Sequence, residues 1–76
     1  MISPYIPPAT IKKMTALGIS ESDVFDVFYN GQQGRTNSGI KLAVKKYNGY
    51  EIGLFYDQNK NNGAYVIITV WKRERR

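Results

Sequence analysis

The stretch from Ala64 to Lys72 constrains the fold of this chain more than any other. It is rich in β-branched and aromatic residues, which favour an extended, pleated backbone. Apolar side chains occupy both alternating sets of positions, so neither face of such a strand can remain wholly in water. The stretch therefore predicts a central β-strand. Its end carries a hydroxyl, an indole and an ammonium group close together, on Thr69, Trp71 and Lys72.

A first helix is predicted between Pro8 and Leu17. Proline suits the first helical turn, and Gly18 suits a left-handed cap at the other end. Apolar residues recur at every third position of this segment, which predicts one buried stripe. The members of that stripe are Ile11, Met14 and Leu17.

A second helix is predicted to begin after Ser20 and to stop at Asn30 and Gly31. Ser20 and Asp23 have the spacing of a capping box, in which each side chain binds the backbone amide of the other residue. The predicted buried stripe of this helix is Val24, Val27 and Phe28.

Three segments predict strands, at residues 40–47, at residues 50–57 and at the Ala64 stretch. Asn48 and Gly49 predict a type I′ hairpin turn, and residues 32–39 and 58–63 predict polar loops. The order indicates an α+β fold, with two N-terminal helices packed on one face of a three-stranded or slightly larger antiparallel sheet. We expect one domain over residues 1–76, with an extended arm at 1–7 and a basic tail at 72–76.

The hairpin turn also predicts which side chains share a face of the sheet. With a two-residue loop, Tyr47 pairs with Tyr50, and side chains alternate between the faces from there. We expect the helices to cover Ile40, Leu42, Val44 and Phe55. We expect the solvent-facing set to be Lys41, Lys45, Tyr47, Tyr50 and Tyr56, together with Ile52 and Leu54. A bulge near the turn would exchange the faces of one strand.

The net charge of +5 is unevenly distributed along the chain. Residues 1–34 carry two basic and three acidic groups, a sum of −1, whereas residues 35–76 carry nine basic and three acidic groups, a sum of +6. This asymmetry points to a polyanion, most often a nucleic acid, or to an acidic protein partner. The alternative is that these cations only keep a small sheet in solution.

Composition excludes chemistry that depends on histidine or cysteine, because the chain has neither residue. An imidazole base, a thiolate nucleophile and the usual zinc ligands are therefore absent. The six carboxylates are scattered without the spacing of a metal site, so we expect no cofactor and no metal. No apolar run approaches the roughly 20 residues of a membrane span, so we expect no membrane partner.

Basic and aromatic side chains on the predicted strands remain as candidates for function. Lysines hold phosphates as point charges and aromatic rings stack on unpaired bases, so the pattern favours single-stranded or looped RNA. The candidate RNA-binding residues are Lys41, Tyr56, Trp71, Lys72 and Arg73. The alternative is that the tyrosines pack on one another or on a partner. Arg35 could meet a phosphate through its guanidinium and the backbone amides of residues 34–39, but this stretch matches no phosphate-loop motif and is interpreted as an ordinary flexible loop.

Several short motifs resemble a known family. Residues 9–14 are Ala-Thr-Ile-Lys-Lys-Met, residues 17–24 are Leu-Gly-Ile-Ser-Glu-Ser-Asp-Val, and Asn30-Gly31 follows. They resemble the small proteins named "domain of unknown function 4258", which typically have His-Ala-x-x-Arg-Met, then Arg-Gly-Ile-Ser-x-x-Asp-Val, then x-Gly. Residues 54–57 and 66–71 are similar to the two closing strands of that family. The resemblance covers most of residues 9–71.

The succession of helices and a twisted antiparallel sheet is also similar to the barnase/EndoU/colicin/RelE (BECR) group of ribonucleases. This resemblance implies a metal-independent ribonuclease toxin domain that cleaves tRNA or another structured RNA. It further implies a cognate immunity or antitoxin protein, which we expect to be acidic. It places the activity in the cytoplasm of a target or host cell, with delivery inside a secreted bacterial effector such as a contact-dependent growth inhibition protein.

The resemblance implies catalytic roles for Ala9 and Thr69, and Lys45 of the basic strand surface is the third candidate catalytic residue. Thr69 and Trp71 look like the Ser/Thr and Trp that line the active site of colicin D-like members, and Lys45 is expected to hold a phosphate. Ala9 stands where the family has His, so an acid/base His would be missing. Either Ala9 is an inactivating substitution that allows a toxic protein to be produced, or Lys and Tyr groups do this work, as in RelE-like toxins.

A function from another class stays open. The chain is alternatively a non-catalytic basic binding module, either an RNA binder or an inhibitor that docks a protein through its sheet.

Overall fold

The computed structural model describes residues 3–74. Within them, two helices, α1 (Pro8–Leu17) and α2 (Glu21–Asn30), precede four strands, β1 (Gln32–Arg35), β2 (Lys41–Tyr47), β3 (Tyr50–Gln58) and β4 (Tyr65–Glu74). The strands form one antiparallel sheet in the order β1-β2-β3-β4. Helix α1 packs on β4, and α2 packs on β2 and β3. The predicted α+β fold is confirmed, and β1 replaces part of the loop expected at residues 32–39.

Both helices have the ends that the sequence predicts. Gly18 adopts a left-handed conformation with φ 72°, and its amide bonds back to the last turn of α1. At the start of α2 the Ser20 hydroxyl accepts from the Asp23 amide, and the Asp23 carboxylate accepts from the Ser20 amide. These signals involve only neighbours in sequence, so tertiary packing does not alter them.

The buried stripe of α1 differs from its prediction at one position. Ile11 remains 41% exposed, whereas Thr10 and Met14 are each 3% exposed. Leu17 is partly buried against the core. The reason is that α1 lies along the edge strand β4, and the residues facing that strand are Thr10 and Met14.

The stripe of α2 is as predicted. Val24 and Val27 are fully buried, and Phe28 packs partly buried against the same core.

The hairpin between β2 and β3 has the predicted register, with Tyr47 paired to Tyr50. Its turn type was predicted wrongly. A type I′ turn needs positive φ at both central residues, but among the described residues only glycines have positive φ, and here that residue is Gly49 at 88°. A positive φ at the second central residue alone is the sign pattern of a type II turn.

The predicted assignment of sheet faces is wrong, although the register is right. The residues buried beneath the helices are Ala43, Ile52 and Leu54, at 0%, 1% and 0% exposure. Leu42, Val44 and Phe55 lie on the opposite face, which we call the open face, and are only half-buried. Cross-strand partners share a face, so the helix face also carries Lys41, Lys45, Tyr47, Tyr50 and Tyr56. Two short helices cover the middle of this face, and long Lys and Tyr side chains border them with their polar ends outward.

The Ala64 strand was predicted to be central, but β4 lies at the edge of the sheet. The N-terminal arm protects that edge: the Tyr5 amide donates to Tyr65 O at 2.8 Å, and Tyr5 O accepts from the Ile67 amide at 2.9 Å. Edge strands with unpaired amides invite association, and this bridge occupies part of the edge. Apolar residues on both sides of β4 therefore have two separate causes: Ile67 and Val70 are buried on the helix face, and Trp71 is half-buried on the open face. Residues 72–74, predicted as tail, continue β4.

A β-bulge shifts the alternation of side chains within β4. Phe55 pairs with Thr69 and Tyr56 pairs with Ile67, which leaves Ile68 as the extra residue. The bulge lets Ile67 and Val70 both be fully buried, although they are three positions apart, while Ile68 stays 46% exposed. A bulge exposes backbone groups that the regular ladder would use. Here those groups are the carbonyls of Ile67 and Ile68, which lie within hydrogen-bond distance of a side chain of α1.

Thr10 provides the polar contact between α1 and the bulge. Its buried hydroxyl lies 3.1 Å from Ile67 O and 3.0 Å from Ile68 O. Buried carbonyls without a donor cost free energy, so this hydroxyl stabilises both the bulge and the seating of the helix.

We expect Thr10→Val to lower the free energy of unfolding by roughly 1–3 kcal/mol, because a methyl group cannot donate to the two carbonyls. Thr15→Val is the matched control: Thr15 is exposed on the same helix and its hydroxyl bonds only to Ile11 O. The control should lie within about 0.5 kcal/mol of wild type. Urea unfolding followed by circular dichroism measures both changes, and equal midpoints for the two variants would contradict the role of Thr10.

Candidate functional site

The residues predicted as one site occupy different places in the structure. Ala9 and Thr69 lie where α1 meets β4. Thr69, Trp71 and Arg73 lie on the open face. Their respective partners on β3, which define that face, are Phe55, Gly53 and Glu51. The helix face carries Lys41, Lys45, Tyr56 and Lys72. A single basic and aromatic surface is therefore not formed, because successive residues of a strand point to opposite faces.

The junction of α1 and β4 brings a cation to Thr69. Lys13 Nζ donates to Thr69 Oγ1 at 3.1 Å. Ala9 is exposed one helical turn before Lys13, and residues four apart lie on the same side of a helix. Sequence analysis missed Lys13, although its spacing from position 9 was the available signal. The junction thus holds an ammonium, a hydroxyl and the exposed position 9.

An aromatic shelf continues from Thr69 across the open face. The rings of Phe55 and Trp71 lie 5.0 Å apart with their planes at 41°. The indole lies over Gly53, where a methyl group would overlap its ring atoms Cζ2 and Cε2. Both rings are half-buried, so part of each remains available to a flat ligand such as a nucleobase.

Lys45 belongs to a polar network that ties α2 to the hairpin. Its Nζ lies 2.6 Å from Asp26 Oδ2, and the Tyr47 hydroxyl donates to the same oxygen at 2.7 Å. Asn30 donates to Asp26 Oδ1 at 2.8 Å. Lys45 faces this carboxylate on the helix face, whereas Thr69 lies on the open face. The structure therefore does not bring Lys45 and Thr69 together.

The same network shifts the pKa values of two of its members, Asp26 and Tyr47. The hydrogen bond from Lys45, followed by those from Asn30 and Tyr47, lowers the pKa of Asp26 from its ordinary 3.8 to about 2. Burial, with the Asp26 carboxylate as the next cause, raises the pKa of Tyr47 above its ordinary value. The Tyr47 hydroxyl is therefore a neutral donor at physiological pH.

Lys72 and Arg73, two other cations near the hairpin, have local partners. Lys72 Nζ lies 4.8 Å from the centroid of the Tyr50 ring, which stacks on Tyr47 at 5.1 Å. Arg73 Nη2 lies 3.3 Å from Oε1 of the buried Glu51. The guanidinium side chain is still 71% exposed, so this ion pair does not remove it from solvent.

Lys41 and Tyr56 lie at the other end of the helix face. Lys41 Nζ is 5.7 Å from the centroid of the Tyr65 ring, and the Tyr56 hydroxyl donates to Gln33 Oε1. Arg35, interpreted from sequence as part of a flexible loop, is the last residue of β1 and pairs with Lys41. Burial is the main cause that raises the pKa of Tyr56.

Neither a metal site nor a membrane span is found in residues 3–74. No group of three or more carboxylate side chains in this range is placed to hold a metal ion. Neither α1 nor α2 is long and apolar enough to cross a membrane, and no other helix occurs in the described range.

We expect Gly53→Ala to destabilise the fold by roughly 1–3 kcal/mol, because the new methyl group must displace the Trp71 indole. Gly34→Ala is the matched control in a strand, since its methyl group would meet Leu42 Cδ1 at an ordinary 3.4 Å. Tryptophan fluorescence during urea unfolding reports both stability and the position of the single indole. A Gly53 variant as stable as the Gly34 variant, with an unchanged emission spectrum, would show that Trp71 does not lie on Gly53.

We expect Asp26→Asn to destabilise the protein near neutral pH and to matter less in acid. The folded-state pKa of Asp26, about 2, lies below the ordinary 3.8, so its contribution is complete above pH 3.8 and is lost as the pH falls through 2. Glu74→Gln, at an exposed carboxylate, is the control. Urea unfolding between pH 6 and pH 2 measures the difference from wild type. A difference for Asp26→Asn that stays constant over this range would contradict the network.

No family model, curated protein or solved structure matches this chain. Its resemblance to the 4258 proteins and the BECR ribonucleases therefore stays a prediction.

Proposed function

We propose that this chain is a metal-independent ribonuclease toxin domain that acts on tRNA or another structured RNA at the junction of α1 and β4. The observation that carries the proposal is the 3.1 Å hydrogen bond from Lys13 Nζ to Thr69 Oγ1. It brings the Lys13 ammonium and the Thr69 hydroxyl together next to the side of α1 that carries position 9. Thr69 and Trp71 share the open face of the sheet.

RNA cleavage without a metal has three chemical requirements. A base takes the proton of the ribose 2′-hydroxyl, whose oxygen attacks phosphorus, and the bond to the 5′-oxygen breaks as that oxygen gains a proton. Donors stabilise the charge that gathers on the phosphate oxygens. Because Thr69 accepts from Lys13, its own proton stays free to donate to an oxygen of the substrate. Lys13 keeps two further protons and its charge for the same phosphate.

Position 9 is suited to the base. A His side chain there would start from the exposed helix side that carries Lys13, and its ordinary pKa near 6.5 suits proton transfer near neutral pH. The methyl group of Ala9 cannot transfer a proton, so the chain with Ala9 would bind RNA without efficient cleavage. The alternative base, a tyrosine, is less favoured: Tyr47 and Tyr56 are hydrogen-bonded to Asp26 and Gln33 on the helix face, away from Thr69.

The proposed partner is an acidic immunity protein that keeps the domain harmless in the cell that makes it. The open face suits such a partner because half-buried Leu42, Val44 and Phe55 share it with the exposed guanidinium of Arg73. Apolar area with charged neighbours is typical of protein interfaces. The proposed place of action is the cytoplasm of a target or host cell, reached as part of a secreted effector.

The second candidate is a non-catalytic binding module, favoured by the methyl group at position 9. Such a module would use the same lysine, threonine and aromatic shelf to hold RNA without cleaving it. Salt-sensitive RNA binding with no cleavage by any variant at position 9 would favour this function.

We expect Ala9→His to convert the chain into a nuclease. Incubated with total tRNA and analysed on a denaturing gel, the variant should release a discrete fragment at least about 100-fold faster than wild type, the usual range for a positioned acid/base. Ala16→His is the matched control, since Ala16 is also exposed on α1, and it should release no fragment. Adding Thr69→Val to Ala9→His should lower the rate roughly 10- to 100-fold by removing a donor to the phosphate.

Circular dichroism should show the same fold for all four proteins. Inactivity of a folded Ala9→His variant, under conditions in which it binds tRNA, would contradict the proposed role of position 9. Equal rates with and without Thr69→Val would place the site elsewhere.

A further inference from the structure

Two cations that the ribonuclease site does not use stand side by side on the helix face. Arg35 on β1 is the direct partner of Lys41 on β2, and Lys41 is the direct partner of Tyr56 on β3. The three side chains therefore form a row across the sheet, at the end away from the hairpin turn. Gln33 and Gly34 complete the lining of a cleft of about 340 Å³ at this row.

The charge of this pair is not neutralised within the described part of the chain. The ion pairs found in residues 3–74 join Lys45 to Asp26 and Arg73 to Glu51, and neither involves Arg35 or Lys41. The contacts of Lys41 Nζ are neutral, with Gln58 Oε1 at 3.5 Å and the Tyr65 ring. Like charges at directly paired positions destabilise a sheet. An anion bound between them would reverse that cost.

The neighbours of the pair are held in position. Gln33 Nε2 donates to Phe28 O at 3.2 Å and to Gly31 O at 3.3 Å, which orients its amide oxygen toward the Tyr56 hydroxyl. The Tyr56 ring packs edge-on against Phe28 at 5.0 Å and against Tyr65 at 5.7 Å. Because the Tyr56 proton goes to Gln33, the lone pairs of its oxygen remain to accept from a ligand hydroxyl.

We propose that Arg35 and Lys41 together bind one backbone phosphate of single-stranded RNA, with the Tyr56 oxygen accepting from the adjoining ribose. A guanidinium holds two phosphate oxygens in a planar fork, and an ammonium adds a point charge. The choice of RNA rests on the proposed function. The site itself is separate, because its residues lie on the helix face, whereas Thr69 and Trp71 lie on the open face. It would hold a strand away from the cleavage site and so extend the contact with substrate.

The test is fluorescence anisotropy with a fluorescein-labelled oligouridine 12-mer and the chain with Ala9. Arg35→Gln and Lys41→Gln should each weaken binding roughly 5-fold or more. Each should also reduce the slope of log affinity against log salt by roughly 0.7, the value for one lost phosphate contact on a single strand. Lys46→Gln is the matched control: it removes the same charge from the same strand, on the open face. It should weaken binding less than about 2-fold.

A stability measurement separates binding from a structural role. Arg35→Gln removes one of two opposed like charges, so its melting temperature should rise by roughly 1–3 °C. A fall in melting temperature together with weaker binding would indicate a structural role and would overturn the inference. Affinities of both variants equal to that of Lys46→Gln would also overturn it.

A competition measurement identifies the source of the phosphate, and a comparison with the cleavage assay separates this inference from the ribonuclease proposal. Inorganic phosphate or AMP that competes as tightly as the 12-mer would overturn the assignment to a strand. If Ala9→His fails to cleave RNA while binding still depends on Arg35 and Lys41, the phosphate site stands and the ribonuclease fails. If Ala9→His cleaves and the pair does not affect binding, the ribonuclease stands and this inference fails.

Discussion

The hydroxyl of Thr10 is the contact on which the arrangement of this small domain depends. It binds the carbonyls of Ile67 and Ile68, which the bulge in β4 presents to α1. Besides that contact, buried Met14 and partly buried Leu17 hold the helix on the sheet. The same seating brings Lys13 within 3.1 Å of Thr69. The candidate site is therefore a consequence of how a helix is fixed to a β-bulge.

The two proposals concern opposite faces of one sheet. On the open face, Thr69 and Trp71 join Lys13 at the edge, and the chemistry there depends on what stands at position 9. On the helix face, Arg35 and Lys41 form a pair of cations without a carboxylate partner among residues 3–74. Lys45, another lysine of that face, is neutralised by Asp26. The two proposals together give a chain of this size separate positions for cleaving a strand and for holding it.

Much of the local structure could be predicted, and the error over the faces of the sheet has a clear physical cause. The helix caps at Gly18 and Ser20 and the pairing of Tyr47 with Tyr50 depend on neighbours in sequence. The faces of the sheet do not. Lys41 and Lys45 alternate with apolar Leu42 and Val44, which suggested that the lysines face solvent, yet the helices cover the lysine side. Lysine and tyrosine have long apolar stems, so they can border a helix and still reach water. Alternation alone cannot choose between two such faces.

The sequence by itself determined the order of the two helices and of strands β2 to β4, the ends of both helices, the hairpin register and the absence of histidine and cysteine chemistry, because these follow from local spacing or from composition. Only the tertiary structure decided which face the helices cover, that β4 lies at the edge, and that Lys13 meets Thr69 while Arg35 meets Lys41. These contacts join residues distant in sequence. They are set by where α1 and α2 bury their apolar side chains and by the one-residue bulge at Ile68, which a periodic pattern does not reveal.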